Sequence, residues 1–159
     1  MSHASSYRAR AGIAALSAVL LALTACTPAP PSSRTVSVDY VIDGDTIVVD
    51  EGERVRLLGV DAPEVARDGS TGEPCAAEAT RLIEETIGDR EVTLTGDPTQ
   101  PEVDKYGRTL AYVDVAGTDL SAQLLTSGLA DLYRNASDIS RYPDYEALHD
   151  KAPNPACAA

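Results

Sequence analysis

Three runs of β-branched residues, separated by two tight turns, constrain this 159-residue chain more than any other feature. Thr35 to Ile42 alternates β-branched and polar residues; the pattern breaks at Asp43-Gly44 and resumes at Thr46-Ile47-Val48-Val49. An Asp-Gly pair between two such runs reads as a hairpin turn. Glu51-Gly52-Glu53 then reverses the chain into Arg54-Val55-Arg56-Leu57-Leu58-Gly59-Val60, which predicts a three-stranded meander. The third strand runs straight into Asp61-Ala62-Pro63-Glu64, a corner stiffened by proline.

Beyond that corner the period changes. Val65 to Glu73 is polar, with Gly69 and Gly72, and predicts a loop. Pro74 opens a helix whose apolar face is Ala76, Ala79, Leu82, Ile83 and Ile87, and Gly88 ends it. Glu91 to Thr95 predicts a fourth strand. Arg108 to Val115 predicts a fifth, with Leu110, Tyr112 and Asp114 on one face and Ala111, Val113 and Val115 on the other. Core packing is the expectation for Tyr112. Asp119 to Ser127 reads as a second helix closed by Gly128, and Tyr142 to Asp150 as a third that Pro153 and Pro155 stop early. Periodicity alone gives a mixed α and β chain.

The amino terminus has a different composition. Residues 1–25 carry Arg8 and Arg10, no acid, and an apolar run from Ile13 to Leu23, as a secretory signal peptide does. The run ends in Leu23-Thr24-Ala25-Cys26, which resembles a bacterial lipoprotein processing box and marks Cys26 for lipidation. Residues 26–34, rich in proline and serine, read as a tether after the cysteine, of which Thr27 to Ser33 spans about 20 Å at about 3 Å per residue. Residues 35–159 make one domain, enough for a single core. The expected location is extracytoplasmic, anchored to the cell membrane through lipid alone, as a monomer with no protein partner.

Three motifs carry chemistry: Asp43-Gly44-Asp45-Thr46, then Arg56 to Glu64 (RLLGVDAPE), then Asp104-Lys105-Tyr106-Gly107-Arg108. In this order and spacing they resemble the staphylococcal nuclease (thermonuclease-like) family, over roughly Thr35 to Arg134. The resemblance implies an α+β fold: a five-stranded OB-type Greek-key β-barrel with two to three helices. It implies a Ca²⁺-dependent nuclease that hydrolyses phosphodiester bonds of DNA or RNA, single strands preferred, expelling the 5′-oxygen and leaving 3′-phosphates. By the same resemblance Asp45, Asp61 and the backbone carbonyl of Ala62 hold the cation, and oxygen donors suit a hard ion. Arg56 and Arg108 are the implied phosphate ligands, since a planar fork matches phosphate better than an ammonium does. Glu64 is implied to position the attacking water. Lys105, Tyr106 and Tyr133 match residues that line the nucleotide pocket.

Charge pulls the other way. Lys and Arg number 13 and Asp and Glu 25, a formal net charge of −12, and loss of Arg8 and Arg10 with the leader makes it two units more negative. Such a body repels a polyanion outside the site, where Arg56, Arg108 and Lys105 are the obvious phosphate partners. With no Phe or Trp in the chain, tyrosines are the aromatic stacking platforms available. Beyond Cys26, Cys75 and Cys157 remain, an even pair that in an oxidising compartment favours a disulfide. Nothing in the spacing suggests zinc, and His149 reads as a surface residue. The competing reading is a catalytically silent OB module that binds nucleic acid or another envelope ligand. Retention of Arg56, Glu64 and Arg108 together separates the two.

Overall fold

The computed structural model describes residues 32–153, so the leader, Cys26, most of the tether and Cys157 lie outside the described residues. The first alternating run is two strands rather than one, divided at Ser37: β1 (Ser33–Val36) and β2 (Val38–Asp43). The chain continues through β3 (Thr46–Val49), a 3₁₀ turn at Asp50–Gly52, β4 (Glu53–Leu57) and β5 (Val60–Asp61). Next come α1 (Ala76–Ile87), β6 (Val92–Thr95), β7 (Thr109–Val115) and β8 (Thr118–Asp119). The described part closes with α2 (Leu120–Ser127), β9 (Asp131–Leu132), a 3₁₀ turn at Arg134–Ala136 and α3 (Tyr142–His149).

The strand order β1-β6-β7-β4-β3-β2 explains why the first run divides. Its two halves pair with opposite edges of the sheet, β1 with β6 and β2 with β3, so the bend at Ser37 closes the sheet on itself. Counting β1 and β2 as one bent strand leaves five strands around a barrel, with a parallel β4–β7 pair where the Greek-key path crosses over. This is the OB fold of the α+β class. Closure removes free strand edges, and all four residues of β3 are buried.

Ile47, Val49, Val55, Leu57, Val92, Leu94, Ala111, Val113 and Val115 fill the barrel, and Ala79, Ile83 and Ile87 of α1 join the same core. The expected face of α1 is the buried one, but the helix begins at Ala76 with Cys75 in the left-handed region at φ 63°, so Pro74 precedes the first turn. Cys75 is disulfide-bonded, and its partner lies outside the described residues. The third expected strand stops at Leu57, because Gly59 takes φ +84° and lets Val60–Asp61 swing away to pair with β9. A Cβ on Gly59 would lie 2.4 Å from the ring of Tyr145, so α3 packs directly on this bend. Tyr145 is 1% exposed and donates to Asp119 Oδ2 at 2.7 Å. Arg141 pairs with Asp114 and Asp119 over the ring of Tyr112, and these contacts fasten the short third helix. Tyr112 is buried, as expected, with its hydroxyl on Asp97 at 2.6 Å.

Candidate functional site

The turn between β2 and β3 is wedged into the fold. Asp43 Oδ1 accepts from the Asp45 amide, an Asx-type closure, and Asp43 pairs with Thr46 across the hairpin. Gly44 is needed for closeness: a Cβ there would lie 2.7 Å from the Ala62 Cβ and 2.9 Å from the Ala79 Cβ. The turn is therefore trapped between the Asp-Ala-Pro-Glu corner and α1. That trap sets Asp45, 3% exposed, against the corner, where its Oδ2 accepts from the Ala62 amide at 2.8 Å and its Oδ1 from Thr46 Oγ1 at 3.0 Å.

Arg56 joins the two aspartates. Its Nη2 is 3.0 Å from Asp45 Oδ2 and 3.2 Å from Asp61 Oδ1, while Nη1 donates to the carbonyls of Leu57 and Val60 at 2.8 and 2.7 Å. Its guanidinium also lies 5.7 Å from the ring centre of Tyr133, whose amide is held by the Gly59 carbonyl. Burial raises the Asp45 carboxyl to about 6; Arg56 and the Ala62 amide oppose the rise, and the neighbouring Asp43 adds to it. A buried carboxylate that shares one guanidinium with a second carboxylate, beside a backbone turn, fits a hard divalent cation with oxygen donors. Among the described residues, no three His, Cys, Asp or Glu side chains converge as a ready-made metal cluster. Asp45 and Asp61 meet at Arg56, and Glu64 stands apart from them. Its side chain is 65% exposed and faces Arg67 Nη2 at 3.7 Å.

Arg67 is the residue that reading the sequence missed. It reaches back from the loop to the buried Asp43 Oδ2 at 2.5 Å, so each buried aspartate of the turn has its own arginine. The available signal was an arginine three residues after Glu64 in a chain with few cations. The base of that loop is tied by the Glu73 amide on the Glu64 carbonyl and the Glu64 amide on Glu73 Oε2, both at 2.9 Å.

The third motif forms a second cluster. Asp104 Oδ1 accepts from the amides of Tyr106 and Arg108, while its Oδ2 pairs with the Arg108 guanidinium at 2.8 Å. These bonds hold the Asp104 carboxyl below its ordinary value against the opposing effect of desolvation. Lys105 and Arg108 both lie over the ring of Tyr106, at 4.9 and 5.4 Å. Arg54 Nη2 donates to the Tyr106 carbonyl at 3.0 Å, and Arg56 registers with Leu110, so β4 and β7 carry the two clusters side by side. His149 is half-buried, with Nε2 2.9 Å from Asp131. A cavity of about 530 Å³ opens elsewhere on the barrel, near the paired Arg34 and Glu53, and none of Asp45, Arg56, Asp61, Glu64 or Arg108 lines it. Convergent chemistry, rather than hollowness, marks the candidate site.

The sequence model of the family described as Staphylococcal nuclease homologue matches residues 54–155. The chain belongs to that family. The match takes in the Arg56, Asp61–Glu64 and Asp104–Arg108 motifs; the Asp43–Thr46 turn lies just ahead of it. Among curated relatives, the chain is 41% identical over 96 residues to a protein named thermonuclease from Staphylococcus intermedius, covering 58% of this chain and 56% of that one. It is 36% identical over 102 residues to a thermonuclease of Staphylococcus hyicus, covering 62% and 59%. It is 40% identical over 119 residues to endonuclease YncB of Bacillus subtilis strain 168, covering 73% and 56%. This family member thus spans little more than half the length of the curated relatives it matches.

Proposed function

We propose that this protein is a calcium-dependent nuclease acting on single-stranded DNA or RNA. One observation carries the reading: a single nitrogen of Arg56 held between a buried and an exposed aspartate, next to an exposed tyrosine. Anion-binding and cation-binding chemistry share one point there. The names of the relatives support the same activity.

Asp45, Asp61 and the Ala62 carbonyl would hold the calcium ion, which when bound supplies Lewis-acid polarisation of a phosphoryl oxygen. Glu64, exposed and hinged to the loop by Arg67, positions the water that attacks phosphorus as the bond to the 5′-oxygen breaks. Arg56 is fixed by four contacts and serves as a preorganised counter-charge rather than a mobile clamp. Arg108 has one acidic partner, the half-buried Asp104, and is the more available ligand for the phosphate as its charge grows. Tyr106 and Tyr133 offer ring faces to the flanking bases. The leader and Cys26 support an extracytoplasmic, lipid-anchored location, which mass spectrometry of the membrane fraction would test.

The activity is tested with a quenched fluorescent oligonucleotide incubated with calcium and protein. Release of 3′-phosphate fragments by the wild type, reduced at least 100-fold in Glu64→Gln, is the expected result. Tight binding without cleavage would favour the silent OB module instead.

A further inference from the structure

We propose that the outer face of β2, β3 and β4 extends the candidate site into a short track for single-stranded nucleic acid, with Arg54 as a phosphate contact and Tyr40 as a stacking platform. This rests on the nuclease reading above and goes beyond it, because neither residue belongs to the three motifs.

The sheet register builds the track. Asp43, Thr46 and Arg56 form one cross-strand row, and Tyr40, Val48 and Arg54 form another on the same face. Ile47, Val49 and Val55, between and beside these residues, belong to the barrel core, so the two rows lie on the opposite face, where Tyr40 and Arg54 are exposed and Asp43, Thr46 and Val48 between them are buried. Residues two apart along a strand stand about 7 Å apart, and neighbouring strands about 4.8 Å, so Arg54 lies one row from Arg56 and Tyr40 about 10 Å across from Arg54. Tyr40 is 59% exposed, and Tyr106 is 62% exposed. Arg54 is exposed and spends one nitrogen on the Tyr106 carbonyl, which joins the row to the Lys105–Tyr106–Arg108 cluster.

Charge selects the occupant. In so acidic a chain this face gathers Arg54, Lys105 and Arg108 around exposed tyrosine rings, which suits a backbone of phosphates carrying unstacked bases. Of the adjoining acids, Glu53 pairs with Arg34, while Asp50 and Asp39 accept from the Ser37 and Gly52 amides and keep their negative charge. They bound the track at the 3₁₀ turn and limit it to a few nucleotides. An open ring face reads bases that are unpaired, so the occupant is a single strand.

The test measures binding in a Glu64→Gln background with calcium, by anisotropy of labelled octathymidylate and dithymidylate. Octamer affinity should exceed dimer affinity, and Tyr40→Ala should cut that advantage about tenfold while Tyr40→Phe retains it. Arg54→Ala should make the octamer's logarithmic salt slope shallower by about 0.7, one lost phosphate contact on a single strand. An unchanged octamer-to-dimer ratio in folded Tyr40→Ala and Arg54→Ala proteins overturns the track and leaves the nuclease reading standing. No binding of either oligonucleotide by the parent protein removes both. Decaglutamate bound as tightly as octathymidylate, with the same dependence on Tyr40, would reassign the face to an acidic protein partner and refute the nucleic-acid assignment.

Discussion

Replacing Arg56 with alanine should cost stability as well as catalysis. The side chain is 11% exposed, gives Nη1 to two backbone carbonyls, and is the ion-pair partner of an Asp45 side chain only 4% exposed. Breaking a buried pair by removing one partner costs about 3–5 kcal/mol, because the remaining charge stays buried. The Asp61 half of the contact adds little, that side chain being 63% exposed. The carbonyls of Leu57 and Val60 regain water once the side chain is gone, so about 4 kcal/mol is a reasonable total. At about 3–4 °C per kcal/mol, the midpoint of a domain this size should fall by about 12–16 °C. The cost should also depend on pH. Burial sets the Asp45 carboxyl at about 6 in the folded protein, above its ordinary 3.8, so the folded state holds the proton more tightly. Stability from this group is therefore fully present below about 4 and lost as pH rises through 6. A protonated Asp45 needs no counter-ion, and the gap between Arg56→Ala and wild type should narrow from pH 8 to pH 5. The assay is urea unfolding followed by circular dichroism at both pH values, in chelator. A loss below about 1 kcal/mol at pH 8, with activity gone, would refute the counter-ion role and make Arg56 a phosphate ligand only.

Arg108→Ala, by contrast, should leave unfolding within about 1 kcal/mol of wild type while lowering kcat steeply, and Arg108→Lys should rescue little, since one ammonium cannot offer a fork. Rescue of most of kcat by lysine would mean that a point charge suffices. Gly44→Ala forces a methyl into the gap against Ala62 and Ala79 and should cost about 1–3 kcal/mol of overpacking, together with most of the activity, as Asp45 is displaced from the Ala62 amide. A fully active Gly44→Ala protein would show that the turn has slack. Asp97 accepts from the Thr99 amide and hydroxyl, the Tyr112 hydroxyl and the Ser140 amide, which hold its carboxyl far below the usual range despite desolvation. Its contribution is present above about 4 and lost as pH falls toward the folded value, so Asp97→Asn should cost about 2–3 kcal/mol at pH 7 and much less near pH 2. An equal cost at both pH values would contradict this.

Local patterns carried much of the fold. The face of α1, the closing glycines at 88 and 128, and the alternation of β7 all follow from spacing, and the structure uses them as read. Barrel closure did not show, because the break at Ser37 answers to two partner strands far apart in the chain, and a period of two cannot name a partner. The site divides the same way. Motif order singled out Asp45, Asp61, Arg56 and Arg108, but not that Arg56 would be bound at both terminal nitrogens, nor that Arg67 would cross to Asp43. Those pairings depend on the bend at Gly59 and on where the loop returns. Tyr145 shows the cost of distance: it supports the bend from 86 residues downstream, through a contact that no local pattern announces.

The central claim is that Asp45 and Asp61 hold the calcium on which cleavage depends. It is tested most directly by titrating calcium against cleavage rate on denatured DNA, with wild type and Asp61→Ala side by side. Asp61 is largely exposed, so its loss should spare the fold and raise the calcium needed for half-maximal rate by about tenfold or more, with no cleavage by either protein in EGTA. Cleavage that continues in EGTA, or an Asp61→Ala protein with the wild-type calcium requirement, would contradict the account.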